Sequence, residues 1–90
     1  MRETDALMLA EHFVLGGEPA RAAVWLVRAT ADALDANDLE AVLERGDRAI
    51  AAGAQDVLLG RVRRKQATAA WWLSDYARCR AYAKEALAHL

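Results

Sequence analysis

Residues 37–50 read NDLEAVLERGDRAI, and residues 74–87 read SDYARCRAYAKEAL. Each stretch begins with a small polar residue, an Asp and a bulky apolar residue, and each ends with an Ala beside a large aliphatic residue. Between these ends a very small residue occupies the same place in both, Gly46 in the first and Ala83 in the second. The second stretch starts 37 residues after the first, and a period in this range is typical of stacked pairs of helices.

Composition favours an all-α fold. The 90 residues suffice for one small domain. Alanine, the best helix former, supplies much of the apolar content, and the chain has a single proline. No segment of four or more residues alternates between apolar and polar with the period of a strand.

Helix start and stop signals divide the chain into five predicted helices. Gly16 and Gly17 end the first helix, and Pro19 suits the first position of the second. The predicted helices cover residues 4–15, 19–34, 38–52, 56–73 and 75–90. Because the connecting loops are short, neighbouring helices are expected to be antiparallel.

Each predicted helix has an apolar face that is expected to point inward. The residues on these faces are Ala6, Leu9, Ala10 and Phe13; Ala22, Trp25 or Leu26, Ala29 and Ala33; Leu39, Val42, Leu43, Gly46, Ala49 and Ile50; Leu58, Leu59, Val62, Ala67, Ala69, Ala70 and Leu73; and Tyr76, Cys79, Ala83, Ala86 and Leu87. Gly in a helix interior costs about 1 kcal/mol relative to Ala. We therefore expect a neighbouring helix to approach Gly46 too closely to leave room for a side chain.

Charge is unevenly distributed along the chain. Residues 1–56 carry eleven acids and five bases, for a net charge of −6, whereas residues 57–90 carry seven bases and two acids, for a net charge of +5. Such an asymmetry bears on association, either with a partner or between two copies packed head to tail.

The remaining composition favours a cytoplasmic protein. Cys79 is the only cysteine, so no internal disulfide can form, and the chain fits a reducing compartment. No apolar run reaches the roughly 18 residues that span a bilayer, and the N-terminus lacks the layout of a signal peptide. Lys65 and Lys84 are the only lysines, while Arg and Ala are abundant, a bias that points to a GC-rich bacterial gene.

The two stretches resemble the tetratricopeptide repeat, which has a polar residue and an acid at the turn and then a fixed spacing of apolar and small residues. A third match begins at Gly17 and marks the preceding helix junction. The resemblance implies a right-handed superhelix of antiparallel helix pairs, with about two and a half repeats in residues 1–90. Residues 12–23 also resemble repeat segments of large bacterial signalling proteins with Ser/Thr kinase or ATPase modules. Two features depart from the family: Arg63 replaces the bulky residue that Leu26 supplies, and the period exceeds the usual value of about 34 residues.

In this family the first helix of each pair lines a concave groove, which implies a site for a partner protein or peptide. The candidates implied are Val24, Val27, Arg28 and Ala31 in the second helix and Arg61, Arg64, Lys65, Thr68 and Trp72 in the fourth. A cationic stripe that ends in an aromatic residue suits an acidic peptide or a C-terminal carboxylate. Arg61 and Lys65 resemble half of the carboxylate clamp of some family members, but Val27 and Ala31 stand where the other half would need Lys and Asn.

Other interpretations of these residues remain open. The basic stripe also fits a solvated helix face, paired with acids of the second and third helices. Trp71 and Trp72 have the flat rings that stack on nucleobases, but the net charge near zero and the lack of a nucleic-acid motif favour one Trp under the Ser74 turn and the other partly exposed. Trp25 has the spacing of a core residue.

No set of residues favours an enzyme, a metal site or a cofactor site. Cys79 with His12 or His89 has the residue types of a nucleophile and its base, but Cys79 stands where the repeat pattern places a small buried residue. His12 lies next to Glu11, but the zinc-protease motif also needs a second His four residues after the first. No His lies four residues after His12, so this motif is absent.

The sequence therefore predicts a cytoplasmic interaction scaffold, with a self-association module as the alternative. Two and a half repeats leave apolar surface at both ends, since each unit relies on a neighbour to cover it. The residues expected at these ends are Leu87, Leu90, Leu7, Met8 and Val14. We expect either a homo-oligomer or flanking repeats, and neither a nucleic-acid nor a membrane partner.

Overall fold

The computed structural model describes the backbone of residues 3–89 and the side chains of residues 5–89. It contains five helices, and there is no strand within this part of the chain. They are α1 (Glu3–Leu15), α2 (Pro19–Asp35), α3 (Leu39–Ala51), α4 (Asp56–Trp72) and α5 (Tyr76–Ala88). The predicted all-α class and the predicted number of helices are confirmed, and most helix ends lie within a residue of the predicted ones.

Three of the helix junctions share one backbone conformation. At each junction a residue with positive φ follows the helix, Gly17 at 71°, Asn37 at 58° and Ser74 at 61°. The next residue is an acid whose N–H donates back to the helix, to the carbonyl oxygen of Phe13, Ala33 or Ala70, at 2.8–2.9 Å. These bonds satisfy carbonyls that the end of a helix leaves without partners. Each junction therefore reverses the chain in the same way.

At the junctions that contain Asn37 and Ser74, the acid that follows caps the next helix. The Asp38 carboxylate accepts from the Ala41 N–H at 3.3 Å, and the Asp75 carboxylate accepts from the Arg78 N–H at 3.1 Å. A capping carboxylate satisfies a free N–H of the first turn and favours the positive end of the helix dipole. The pair of a small polar residue and Asp that begins both quoted stretches thus has a local structural cause.

Helices α2 and α4 lie beside each other, and the other helices pack on them. Within the described residues α1 packs on α2, α3 packs between α2 and α4, and α5 packs on α4. The bounds of α4 and α5 follow those of α2 and α3 by 37 residues at both ends. The chain therefore contains two helix pairs of identical length, and their first helices, α2 and α4, are in contact.

The core consists of two small clusters rather than one large one. The first surrounds Leu26 of α2 and Val62 of α4, with contributions from α1 and α3. The second joins Val42 and Leu43 of α3 to Ala69 of α4. Alanines fill most of the remaining buried positions, which lets the helix backbones approach closely. Trp25 is half-buried against the first cluster, as its spacing predicts.

A side chain of the neighbouring helix α4 occupies the space beside Gly46, as the predicted lack of room requires. A Cβ built on Gly46 would lie 2.7 Å from Cδ of Gln66, well inside van der Waals contact. Gln66 of α4 was not among the residues predicted to be buried, yet it is fully buried. Its side-chain amide donates to the Leu43 carbonyl oxygen at 2.9 Å and to the Asp47 carboxylate at 3.0 Å. The missing side chain of Gly46 therefore makes room for a buried polar group on α4.

Several predictions for the ends of the molecule are wrong. Tyr76 was expected to face inward but is exposed, and Cys79 is half-buried rather than buried. Leu87, which was placed on the inward face of α5 and also among the residues exposed at the end of the molecule, is exposed. The physical reason is that no helix within the described residues packs over this face of α5. Leu7 was expected to be exposed, but it packs against the first core cluster. Met8 and Val14 are exposed as predicted, and Leu90 lies outside the described residues.

Candidate functional site

The exposed face of α4 carries a row of polar and aromatic side chains. We call it the α4 row, and it consists of Arg61, Arg64, Lys65, Thr68 and Trp72. All are exposed except Lys65, which is half-buried. Their spacings of three and four residues place them along one side of the helix. The Thr68 hydroxyl donates to the carbonyl oxygen of Arg64 at 3.2 Å, a bond within the same helix.

The cations of the α4 row have no acidic partner among the described residues. Within residues 5–89, the charged groups of Arg61, Arg64 and Lys65 form no ion pair and no hydrogen bond to another side chain. Other arginines of the same part of the chain do have such partners, and these pairs are Arg21–Glu18, Arg28–Asp32, Arg48–Glu11, Arg48–Glu44, Arg63–Asp47, Arg63–Glu85 and Arg78–Asp75. The alternative in which acids of α2 and α3 neutralise the stripe therefore finds no support.

The predicted residues of α2 differ among themselves. Val24 is exposed, but Val27 is half-buried against the first core cluster and offers less surface than predicted. Arg28 is exposed and forms an ion pair with Asp32, with 3.0 Å between Nε and Oδ1. The 37-residue correspondence pairs Val24 with Arg61 and Arg28 with Lys65. The two sets therefore lie at corresponding positions of two helices that are in contact, and the α4 set carries more cations.

Three exposed aromatic residues, Trp71, Trp72 and Tyr76, lie at or near the end of α4. Trp72 is 68% exposed, and Trp71 is also exposed, so the expectation that one of them packs under the Ser74 turn is wrong. Trp71 instead contacts the ring of Tyr76, with centroids 5.2 Å apart and ring planes at 60°. Exposed aromatic side chains in contact are unusual unless something covers them, since they lose the gain of burial.

A polar network behind the α4 row fixes α4 against its neighbours. Arg63, only 17% exposed, forms ion pairs with Asp47 of α3 at 3.1 Å and with Glu85 of α5 at 2.9 Å. Its guanidinium also lies over the Tyr82 ring, 5.3 Å from the centroid, and its Nη1 donates to the Gln66 side chain at 2.7 Å. Arg63 stands at the position that corresponds to the buried Leu26 of α2, and its contacts there are ionic. The network joins three helices and holds the row on a rigid support.

Burial raises the pKa of the Tyr82 hydroxyl, and the charge of Asp47 raises it further, against smaller opposing effects of Arg78 and Arg63. A tyrosine is already neutral near pH 7. The raised pKa keeps the Tyr82 hydroxyl neutral through the physiological range of pH.

The residue types of a catalytic or metal site are not brought together. Cys79 lies on α5, His12 lies on α1 with its ring against Phe13, and His89 follows the end of α5. No hydrogen bond among residues 5–89 joins Cys79 to either histidine. Across the same residues, no group of three or more His, Cys, Asp or Glu side chains is placed to hold a metal ion.

Two shallow cavities lie away from the α4 row. One, of about 500 Å³, follows the outer face of α1, where Met8 and Leu9 contribute to its walls. The other, of about 320 Å³, lies between the α1–α2 junction and the end of α3. Both are open to solvent, and neither includes a cation of the α4 row among its described wall residues.

No family model, curated protein or solved structure matches the chain. None of the helices within the described residues is long and apolar enough to cross a membrane.

Proposed function

We propose that the chain is a tetratricopeptide-like interaction module that binds an acidic segment of a partner protein on the face formed by α2 and α4. The observation that carries this proposal is the α4 row, in which three cations without acidic partners lead to an exposed Trp72. Unpaired cations along one face of a helix attract carboxylates, and an exposed aromatic ring supplies apolar contact area. The support for the superhelix is the 37-residue correspondence and the contact of α2 with α4.

The resemblance of residues 12–23 to repeats of bacterial signalling proteins supports a place for this module in a larger cytoplasmic signalling protein. In that setting the module recruits a partner and performs no chemistry of its own. The separated positions of Cys79, His12 and His89 support the same conclusion, because a nucleophile and its base must lie within hydrogen-bond reach.

Charge reversal tests the proposal, and α5 offers a matched control. The variant Arg61→Glu with Lys65→Glu inverts two charges four residues apart on α4. The variant Arg80→Glu with Lys84→Glu inverts two exposed cations with the same spacing on α5, and these also have no acidic partner among the described residues. We expect the first variant to weaken binding of a capped acidic peptide by about tenfold or more, and the second to leave it nearly unchanged.

The measurement is titration calorimetry at low and high salt, with circular dichroism to verify that both variants keep their helices. Binding that fails in the wild-type protein at all salt concentrations contradicts the proposal. Equal loss in both variants also contradicts it, because a general charge effect would then explain the result.

Self-association is a second candidate function, and the ends of the molecule favour it. Leu87 of α5 is 78% exposed and Met8 of α1 is 67% exposed, as expected of surfaces that a neighbour covers. The opposite charges of the two parts of the chain suit contact between copies. Sedimentation velocity at several concentrations tests this candidate, and a monomer throughout would remove it. Loss of the oligomer in the Arg61→Glu, Lys65→Glu variant would favour this candidate over the peptide site.

A further inference from the structure

Helix α3 packs between two neighbours, whereas α1 and α5 each pack on one. On α3 the helix α2 covers one side and α4 covers another. Within the described residues, α1 packs on α2 alone and α5 packs on α4 alone. All three helices have 13 residues, and α3 follows α1 by 36 positions and precedes α5 by 37. Helix α1 therefore has an uncovered side where α3 meets α2, and α5 has one where α3 meets α4.

The uncovered side of α5 carries two cations between two large apolar side chains. We call it the α5 face, and it consists of Tyr76, Arg80, Lys84 and Leu87, all of them exposed. Spacings of four, four and three residues place these side chains on one side of the helix. Their counterparts in α3, 37 positions earlier, bond to α4 or belong to the core clusters, and these are Leu39, Leu43, Asp47 and Ile50. The α5 face thus has the position of a surface that another helix covers.

The charges of the α5 face differ from those of the covered surface on α3. There the Asp47 carboxylate pairs with Arg63 of α4, 3.1 Å away. Lys84 occupies the place of Asp47 in α5, and Arg80 lies one turn before it. Neither of these two cations forms an ion pair within residues 5–89. A helix that covers the α5 face therefore needs acids where α4 has a cation, and apolar surface for Leu87, which is 78% exposed.

The uncovered side of α1 offers acids and apolar surface together. We call it the α1 face, and it consists of Asp5, Met8, Leu9, Glu11, His12 and Leu15. Four of these residues form walls of the shallow cavity of about 500 Å³ on this helix. Met8 is 67% exposed and Leu15 is 87% exposed, and the side chain of Glu11 is half exposed beside Arg48. The sequence of α1 contains acids but no Lys or Arg.

We propose that copies of the chain associate head to tail, with the α5 face of one copy on the α1 face of the next. Arg80 and Lys84 then meet the acids of the α1 face, and Leu87 enters the cavity beside Met8. The contact gives both uncovered helices a second neighbour. This inference rests on self-association, the second candidate function, and names the surfaces that form the contact.

The charges favour this pairing over a symmetric one. Contact between two α5 faces would bring together two cations from each copy, with no acid on either face. Contact between two α1 faces would bring together two acids from each copy. Opposite faces carry opposite charges, which attract and set the orientation of the copies. Because the contact joins two different surfaces, every assembly keeps one free face of each kind, and its growth continues as the concentration rises.

Two variants block the two faces separately. Met8→Gln with Leu15→Gln removes exposed apolar side chains from the α1 face, and Gln keeps the helix propensity. Arg80→Glu with Lys84→Glu inverts the cations of the α5 face. Sedimentation velocity over a wide range of concentration measures association, and circular dichroism verifies that each variant keeps its helices.

Each blocking variant has a matched control. Val24→Gln with Trp72→Gln removes two apolar side chains that are exposed but lie outside both faces. Arg61→Glu with Lys65→Glu makes the same change of charge on α4. The second control also separates the two proposals, because it should weaken binding of the acidic peptide and leave association nearly unchanged.

We expect the mass of the wild-type protein to rise with concentration beyond that of a dimer, and to fall at high salt. Each blocking variant should weaken association by about tenfold or more, and each control by much less. An equimolar mixture of the two blocking variants should regain the wild-type affinity but stop at two chains. The reason is that one intact α1 face and one intact α5 face remain in the mixture.

Each other outcome overturns the inference in a recognisable way. If a blocking variant alone associates as tightly as the wild type, or if mixing restores nothing, the copies meet through other faces and the head-to-tail contact is wrong, although self-association stands. Equal losses in the variants and their controls would mean a general effect of charge or apolar surface. If the wild type is monomeric at every concentration, self-association and this inference fail together, and the peptide titration decides the first proposal independently.

Discussion

Helices α3 and α5 occupy corresponding places in the two helix pairs, yet they are buried to very different extents. In α3 the residues Val42 and Leu43 are buried, whereas their counterparts in α5 are the half-buried Cys79 and the exposed Arg80. Ile50 is half-buried, whereas its counterpart Leu87 is 78% exposed. The difference arises because α4 packs on the outer face of α3, and no helix within the described residues packs on that of α5.

The shared motif therefore determines the turn and the helix, but not how deeply the helix is buried. The two junctions have nearly the same angles, and both capping carboxylates accept from the N–H three residues on. These features depend on residues near in sequence, so they are the same in both copies. Burial depends on a neighbouring helix, which only α3 has on both sides. Substitutions at corresponding positions therefore separate local effects from packing effects.

The largest effect is expected at Gly46 and its counterpart Ala83. Gly46→Ala adds a Cβ where the Gln66 side chain lies, so the buried amide must move and give up hydrogen bonds. We expect a loss of about 1–3 kcal/mol in the free energy of unfolding, despite the better helix propensity of Ala. Ala83→Gly, in a half-buried position, should cost only about 1 kcal/mol, from propensity alone. Chemical denaturation monitored by circular dichroism measures both.

A second substitution sharpens this prediction. Gln66→Ala removes the group that collides with the new Cβ, so adding Gly46→Ala to it should cost much less than adding Gly46→Ala to the wild type. A cost that is equal in both backgrounds would mean that the closeness of α3 and α4 is not what requires Gly46.

Structural features that have a local cause could be predicted from the sequence. Gly and Pro at the helix ends, Asp at the caps and apolar residues at helical spacing each act within a few residues, so five helices and their ends were predictable. The close approach at Gly46 was predictable too, because a glycine in mid-helix needs a compensating reason. It could also be predicted that the residues of the α4 row share one side of the helix, because they are three or four residues apart.

Features that depend on a residue of another helix could not be predicted from the sequence. The burial of Gln66 depends on its meeting the Leu43 carbonyl oxygen and Asp47 across the helix contact, which no spacing within α4 reveals. The same holds for Arg63, whose partners are on α3 and α5. Tyr76 and Leu87 have the spacing of core residues but lack a covering neighbour. The structural setting of the candidate cations, with no acid beside them, was likewise not visible in the sequence.

A moderate effect is expected at Ser74 and its counterpart Asn37. Both have positive φ, a conformation that Asn tolerates better than Ser does and Gly best of all. Ser74→Gly should therefore raise the free energy of unfolding by up to about 1 kcal/mol. Asn37→Gly should change it by less. Thermal and chemical unfolding check both, and a larger gain at Asn37 than at Ser74 would show that something other than the backbone conformation governs these junctions.

The smallest effect is expected at Tyr82 of α5, whose counterpart in α3 is Arg45. Burial raises the pKa of Tyr82 above its ordinary value of 10.0. Between pH 10 and that raised pKa the unfolded chain loses the proton first, so stability should decrease as the pH rises through this window and be unaffected by Tyr82 below it. Tyr82→Phe should make the decrease shallower, as measured by denaturant midpoints from pH 8 to pH 11. Tyr76→Phe is the matched control, because Tyr76 is exposed and begins the same helix. If stability decreases equally at alkaline pH in the wild type and in Tyr82→Phe, the Tyr82 hydroxyl is solvated. The second helix pair is then no more sensitive to alkali than the first.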